Sequence, residues 1–129
     1  MSKSKQLKRN KGTGRFLGLP HALLSHPDYL TLKPRAVKLL IDIGYQYNGR
    51  NNGDLCVAFS IMKKRGWTSN DQLTKAKKEL LKTDFIRITR LGFRKRPMLY
   101  ALSWLGVDEC GGKLDFGAVK TLPRSLRII

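Results

Sequence analysis

Acidic residues are scarce in this sequence: nine aspartates and glutamates stand against 26 lysines and arginines, which gives a formal net charge of +17 and a pI near 10.4. Such an excess of one charge destabilises a compact chain by self-repulsion, and a polyanionic partner relieves that repulsion. A strongly basic domain is typical of proteins that bind nucleic acid. The composition therefore favours a nucleic-acid partner.

Long apolar runs are also absent. No stretch approaches the roughly 20 apolar residues that a membrane-spanning helix needs. The basic N-terminus is not followed by the apolar core and small residues of a signal peptide. An anionic membrane surface is a possible partner for so basic a chain, but nucleic acid is the leading candidate. We therefore expect an intracellular protein with no membrane partner.

Cysteine and histidine are few. Cys56 and Cys110 match no close-spaced metal or redox pattern, so we expect free, partly buried thiols in a reducing compartment. His21 and His26 are the only histidines, and neither has an obvious acid or nucleophile as a partner. No phosphate-binding glycine loop or paired-carboxylate motif is present. The sequence thus predicts no catalytic residue, metal, cofactor or small-molecule substrate, and we expect that the protein is not an enzyme.

Three segments are predicted in the 129 residues, of which 41% are apolar, enough for one domain with a single core. Residues 16–106 form that domain. Residues 1–15 contain no acid and too little apolar surface to order themselves, so they are predicted to be a flexible basic arm that follows a phosphate backbone. The cations of the arm are Lys3, Lys5, Lys8, Arg9, Lys11 and Arg15. Residues 107–129 are predicted as an extended tail, either packed on the domain or available to a partner.

Two helices are predicted before the first loop. The stretch LPHALLSHP reads as one short helix that Pro27 closes. The next helix begins near Pro34 and ends before Gly49, and its broad apolar arc places it at the centre of the core. Its stripe is predicted to consist of Val37, Leu40, Ile41 and Gly44. It is widened by Ala36, Leu39, Ile43 and Tyr47. Gly44 within it is less favourable than alanine by about 1 kcal/mol, which close packing would explain.

A strand and a capped helix pair are predicted next. NGRNNGD reads as a loop, and DLCVAFS, residues 54–60, as a short strand. Ser60 is expected to cap a short helix that Gly66 stops. The spacing of Ser69 and Gln72 fits a capping box at the start of a further helix.

That further helix is predicted over about residues 70–83. A buried stripe recurs along it at helical spacing. The stripe residues are Leu73, Ala76, Leu80 and Leu81. Lys77 lies at the edge of this stripe and is expected to extend outward along its stem. Two helices joined by a few residues that include a glycine indicate a helix-turn-helix.

A basic hairpin is predicted after the helix pair. Ile86 and Ile88 alternate with Arg87 and Thr89 in one strand, and Tyr100, Leu102 and Trp104 share a face of the next. The connection, about residues 90–97, carries Arg94, Lys95 and Arg96. The sequence therefore predicts an α+β winged helix-turn-helix fold, with three or four helices, a small antiparallel sheet and a basic β-hairpin wing.

This arrangement assigns roles to the charged segments. The second helix of such a pair enters the major groove with its first residues nearest the bases, and the wing lies along the backbone. The residues predicted to read bases are Asn70, Asp71, Gln72, Thr74 and Lys75. Asn70 and Gln72 are expected to pair in bidentate fashion with adenine, and Lys75 with guanine. The residues predicted to bind phosphate are Lys63, Lys64, Arg65, Ser69, Lys78, Lys82, Arg94, Lys95 and Arg96.

Several short motifs resemble small winged-helix proteins of bacterial phages and mobile elements, grouped loosely with replication-initiator and helix-turn-helix regulatory proteins. They are FLGLP from Phe16, SHP with Tyr29 and Leu32, YNGRNNG from Tyr47, the lysine-rich helix before DFIRITR, and YALSWLGVDECGGKLD from Tyr100. The likeness spans roughly residues 16–115. Lys77 departs from it, since an apolar residue is usual there. The resemblance implies binding to double-stranded DNA in replication initiation or transcription regulation, in the bacterial cytoplasm and associated with the nucleoid.

Other partners stay open at this stage. An RNA-binding or ribosome-associated protein fits the size and charge equally well, and so does an inhibitor that binds a protein partner. Single-stranded RNA is usually bound on exposed aromatic platforms, whereas Phe85, Tyr100 and Trp104 are expected in the core, which favours duplex DNA. A homodimer is also left open, although the sequence contains no heptad repeat or other dimerising helix.

Overall fold

Five helices and a small sheet make up the part of the chain that the computed structural model describes, residues 15–93 and 95–115. The helices are α1 (His21–Leu24), α2 (Pro27–Leu30), α3 (Pro34–Gly44), α4 (Phe59–Met62) and α5 (Asn70–Lys82). The strands β1 (Leu55–Cys56), β2 (Ile86–Arg90) and β3 (Leu99–Leu102) form an antiparallel sheet in the order β1-β3-β2. The α+β class is confirmed. The order of elements is compatible with the predicted winged helix-turn-helix.

Parts of three predictions lie outside the described residues. They are the basic arm apart from Arg15, the wing residue Arg94, and the predicted tail from residue 116 onward.

The N-terminal region has one helix more than predicted. Pro27 begins α2 instead of only closing α1, because the imidazole Nδ1 of His26 accepts a hydrogen bond from the Asp28 amide at 3.1 Å and caps the new helix. A proline is tolerated at the first helical position, where its missing N–H has no partner to lose. The described residues therefore contain five α-helices, where three or four were predicted.

Helix α3 lies at the centre of the core, as its apolar arc predicts. Its buried residues include Ala36, Leu39, Leu40 and Ile43. The predicted stripe was partly wrong, since Val37 is only half-buried and Ile41 is exposed, and the helix ends at Gly44, well before Gly49. The close packing expected at Gly44 is confirmed, because a Cβ there would overlap the Leu17 side chain.

The cap predicted for α4 was wrong, whereas the cap of α5 is confirmed. Helix α4 begins at Phe59 with Ala58 as its N-cap and no side-chain cap, so Ser60 lies inside the helix. The 3₁₀ turn that follows, Lys63–Arg65, ends at Gly66, whose φ of 96° favours glycine. The Ser69 hydroxyl accepts the Gln72 amide at 3.2 Å and starts α5.

The sheet departs from strict alternation. A bulge between Ile88 and Arg90 turns Thr89 inward, where its hydroxyl donates to the Gly53 carbonyl, and leaves Ile88 half-buried. Strand β3 is buried along its whole length. The aromatic residues predicted for the core, Phe85, Tyr100 and Trp104, are buried. Burial also raises the pKa of Tyr100 to about 12.

Asn52 joins the central loop to the end of β3. It is fully buried, and its side-chain oxygen accepts the Leu102 amide at 2.7 Å. Its side-chain nitrogen donates to the carbonyls of Leu102, Leu105 and Gly106. The backbones of Asn52 and Asp108 are also linked, because the Asp108 amide donates to the Asn52 carbonyl at 2.8 Å. Residues 107–115 are thereby packed on the domain.

Candidate nucleic-acid interface

Helix α5 presents a cationic outer face. Leu73, Ala76 and Leu80 are buried, and the helix packs against α3. At about 100° per residue, the positions opposite this buried stripe fall near residues 71, 75, 78 and 82. The side chains of Asp71, Lys75, Lys78 and Lys82 are exposed there. This face is therefore accessible along the length of the helix.

The first turns of α5 hold the residues predicted to read bases. Asn70, Asp71 and Lys75 are exposed, and Thr74 is half-buried. The Lys75 ammonium lies 3.0 Å from the Asp71 carboxylate, one turn away on the same face. Exposed pairs of this kind contribute at most about 1 kcal/mol, so Asp71 does not prevent Lys75 from binding another anion.

Gln72 lies on a flank of α5, toward the start of α3. Its side-chain oxygen accepts a hydrogen bond from Arg35 Nη1 at 3.0 Å. Arg35 in turn donates through Nε to Glu79 Oε2 at 2.8 Å, and the Lys33 amide lies 3.3 Å from Glu79 Oε1. Burial alone would raise the pKa of the Glu79 carboxyl, but the hydrogen bonds from Arg35 and Lys33 lower it below its usual value. The carboxylate therefore stays ionised and holds Arg35 in place.

Asp42 is a buried acid that the sequence analysis did not single out. Its carboxylate accepts from Lys38 Nζ at 2.7 Å, from the Trp67 indole Nε1 at 2.8 Å and from the Arg65 guanidinium at 3.3 Å. The Arg65 guanidinium also lies 4.0 Å from the centre of the Tyr45 ring. Asp42 is the only acid in α3, which is the one signal in the sequence that could have indicated a structural role.

The cations of the turn after α4 therefore differ in availability. Arg65 is half-buried and already paired with Asp42, so it fixes the turn between α4 and α5. Lys63 and Lys64, on the same 3₁₀ turn, are exposed. Of the three residues predicted here to bind phosphate, these two lysines are the accessible ones.

The tip of the hairpin between β2 and β3 is held by Asp115, which comes later in the chain. The Phe93 and Arg96 backbones bond to each other at 2.9 and 2.8 Å, which closes the tip. Arg96 is ion-paired with Asp115 and lies 4.9 Å from the centre of the Phe93 ring. Asp115 also accepts the Leu91 amide at 2.8 Å, and this bond, with the Arg96 guanidinium, lowers the pKa of its carboxyl. Lys95 is exposed at the tip.

Lys77 belongs to α5 and lies on the side of the helix next to the hairpin. It is half-buried and lines a small surface cavity of about 210 Å³ with Pro97, Met98 and Tyr100. This position matches the predicted edge of the buried stripe. The apolar cavity wall accommodates the stem of the lysine, as a long amphipathic side chain allows.

Exposed aromatic residues were missed by the sequence analysis. Phe16, Tyr45 and Phe93 are 76%, 60% and 59% exposed. Phe16 and Tyr45 line a groove of about 350 Å³ with Arg15 and Arg65 among its other walls. Helical and strand periodicity offered no signal for them, because they lie at or beyond the ends of helices and strands.

The remaining chemistry is sparse. Cys56 and Cys110 are free and partly buried, as predicted. Burial and the nearby carboxylates of Asp54 and Asp108 raise the pKa of the Cys110 thiol, which makes it a poor nucleophile. Within residues 15–93 and 95–115, no group of three or more histidine, cysteine or acidic side chains could hold a metal ion. In the same ranges, none of the helices combines the length and apolar character needed to cross a bilayer.

Comparison with family models, curated proteins and solved structures finds no match to this chain.

Proposed function

We propose that this chain is a winged helix-turn-helix protein that binds double-stranded DNA and acts in replication initiation or transcription regulation of a phage or mobile element. The observation that carries the proposal is the accessible lysine face of α5, with Lys75, Lys78 and Lys82 exposed on a helix that α3 supports. A helix with a basic outer face fits the major groove.

The surrounding elements support a winged helix. Helices α4 and α5 are joined through Gly66 in its left-handed conformation, which gives the short turn of a helix pair. Strands β2 and β3 follow α5 directly in the chain and pair with each other as an antiparallel hairpin. In this proposal α5 is the recognition helix and the hairpin tip is the wing.

The proposed contacts divide into two kinds. Base contacts come from the first turns of α5, whose backbone amides near Ser69 also attract phosphate. Phosphate contacts come from exposed lysines of the turn after α4, the outer face of α5 and the wing. These lysines are Lys63, Lys64, Lys78, Lys82 and Lys95.

The salt dependence of binding tests the proposal. If about eight phosphates are neutralised, five by these lysines and the others by Arg94, Arg96 and the basic arm, the observed association constant should fall with salt along a log–log slope near −7. We expect this slope when binding is measured by fluorescence anisotropy. The duplex should have about 20–30 base pairs, roughly the length of two half-sites. A slope shallower than about −3 would show that few phosphates are contacted and would contradict the proposal.

Removing the charges of the wing should weaken binding without changing its sequence preference. Replacing Arg94, Lys95 and Arg96 by alanine removes phosphate contacts, which carry no sequence information. We expect affinities for a panel of duplexes to fall by one common factor of about 10 to 100, as for the loss of two or three such contacts. Because Arg96 is tied to Asp115, a second variant that keeps it, R94A/K95A, separates lost charge from a loosened wing. A change in the ranking of the duplexes would refute this role for the wing.

Binding of single-stranded RNA or DNA is the second candidate. The exposed rings of Phe16, Tyr45 and Phe93 favour it, because unpaired bases stack on aromatic side chains. Competition of duplex DNA against structured RNA and against single strands, at matched salt, separates the two. Stronger competition by the duplex supports the main proposal, and stronger competition by a single strand favours the second candidate.

A further inference from the structure

A chain of hydrogen bonds fixes which atoms Gln72 can offer to a ligand. Glu79, on the same helix two turns later, holds Arg35 through Nε at 2.8 Å, and Arg35 Nη1 reaches the Gln72 side chain at 3.0 Å. Glu79 and Arg35 are both partly shielded from solvent, with side chains 23% and 25% exposed. Gln72 itself is exposed. In this series of hydrogen bonds, Glu79 and Arg35 thus lie between the two helices, and Gln72 lies at the surface.

The chemistry of the guanidinium determines how the Gln72 amide is turned. An arginine side chain carries only hydrogen-bond donors, so the Gln72 atom that it meets must be the oxygen. The amide nitrogen, with two hydrogens and no lone pair to offer, is then the group left for a ligand. The hydrogen bond from Arg35 takes one of the two lone pairs of the oxygen and turns the oxygen toward α3, so the nitrogen, a donor, is the atom turned away from Arg35.

Base edges in the major groove differ in what they offer to such a donor. Guanine presents two acceptors, N7 and O6, while adenine presents one acceptor beside an N6 donor and cytosine presents an N4 donor. The bidentate contact with adenine that the sequence suggested needs the Gln72 oxygen and nitrogen to face the base together, whereas the oxygen is turned toward Arg35. Guanine is the base that offers two acceptors to the two amide hydrogens, whereas adenine N7 and thymine O4 offer one each.

We propose that Arg35 is a positioning residue that turns the Gln72 amide so that its NH2 group reads guanine in the major groove, an inference that rests on the proposed binding to duplex DNA. Arg35 need not touch the DNA to set this preference. Its effect is to hold the amide oxygen away from the groove.

The test measures the base preference of the full chain at the position that Gln72 contacts. A binding duplex is first selected from a random library, and each of its positions is then replaced in turn by each of the four bases. The affinity of every duplex is measured for the native chain and for Q72A. The position whose preference disappears in Q72A is the one Gln72 reads. There the native chain should prefer guanine to adenine by about fivefold or more, the lower end of what one base contact provides.

Three variants then examine the cause. In R35M the Gln72 amide is released, so the base preference should reverse and duplexes with adenine should bind better than those with guanine. In R35K the neighbour of Gln72 is still a hydrogen-bond donor, so the preference for guanine should be retained. In Q72E the exposed side chain offers only acceptors and should shift the preference to cytosine, whose N4 donates. Q72E changes an exposed residue, so it remains informative even if R35M does not fold. The double variant R35M/Q72A should match Q72A at this position.

The outcomes are distinguishable. Preference of the native chain for adenine, or retention of guanine preference in either a folded R35M or Q72E, would overturn the inference while leaving duplex binding intact. Loss of measurable duplex binding in the native chain would instead refute the proposed function on which the inference rests.

Discussion

Reversing two charges on the outer face of α5 should abolish measurable duplex binding at physiological salt. K78E/K82E changes the charge of this face by four units at positions where exposed lysines are expected to meet phosphates. At contact distance in water each unit contributes about 1 kcal/mol, so the affinity should fall by roughly 10²- to 10³-fold. Fluorescence anisotropy at fixed salt measures the loss, and thermal unfolding verifies that the variant is folded.

A matched variant separates local from global charge. R50E/K113E makes the same four-unit change at exposed residues outside α5, the turn after α4 and the wing. It lowers the net charge equally but removes no proposed contact, so its affinity should fall by less than about tenfold, since long-range effects are screened within about 8 Å. Equal losses in both variants would mean that the protein attracts DNA by net charge alone and would contradict a recognition role for α5.

Replacing Asn52 by alanine should destabilise the protein by about 3–4 kcal/mol, because buried groups left without hydrogen-bond partners lose about 1–3 kcal/mol each. The fully buried side chain accepts the Leu102 amide and donates to three carbonyls, at Leu102, Leu105 and Gly106. A typical domain is stable by about 5–15 kcal/mol, so this loss is a large share of the total. Urea denaturation measures the free energy of unfolding.

Asn48 provides the control in the same loop. Its side chain is exposed and, within the part of the chain that the structure describes, accepts only the Arg50 amide, at 2.8 Å. Asn48→Ala should therefore change the free energy of unfolding by less than about 1 kcal/mol, as is usual for surface substitutions. If the two alanine variants were equally destabilised, the loop as a whole, and not the Asn52 carboxamide, would be what joins β3 to residues 107–115.

Local sequence signals predicted the fold where neighbouring residues decide the structure. The Ser69 cap and the buried stripe of α5 were found because a cap and a 3.6-residue period need only residues a turn apart. The same holds for Gly66, whose backbone ends the 3₁₀ turn. At two positions the sequence allowed two interpretations. Pro27 could end one helix or begin the next, and Ser60 could be the N-cap of α4 or lie inside it. The outcome depended on which residue became the N-cap, His26 for α2 and Ala58 for α4.

Long-range contacts could not be predicted in this way. Asn52 meets Leu102 across 50 residues, Arg96 meets Asp115 across 19, and Arg35 meets Gln72 across 37. Periodicity contains no information about such pairs. For the candidate site, the sequence predicted the accessible lysines on α5. It could not predict that Asp42 holds Arg65, that Arg35 holds Gln72 or that Asp115 holds Arg96, because these partners meet only in the folded chain.

The two tryptophans make this chain its own optical reporter. Both are almost fully buried, and each donates its indole N–H at a different junction of the fold. Trp67 binds Asp42 where α3 meets the turn before α5, and Trp104 binds the Gly18 carbonyl where the N-terminal segment meets the end of the sheet. Emission from single-tryptophan variants can therefore follow the loosening of either junction separately, without an attached dye.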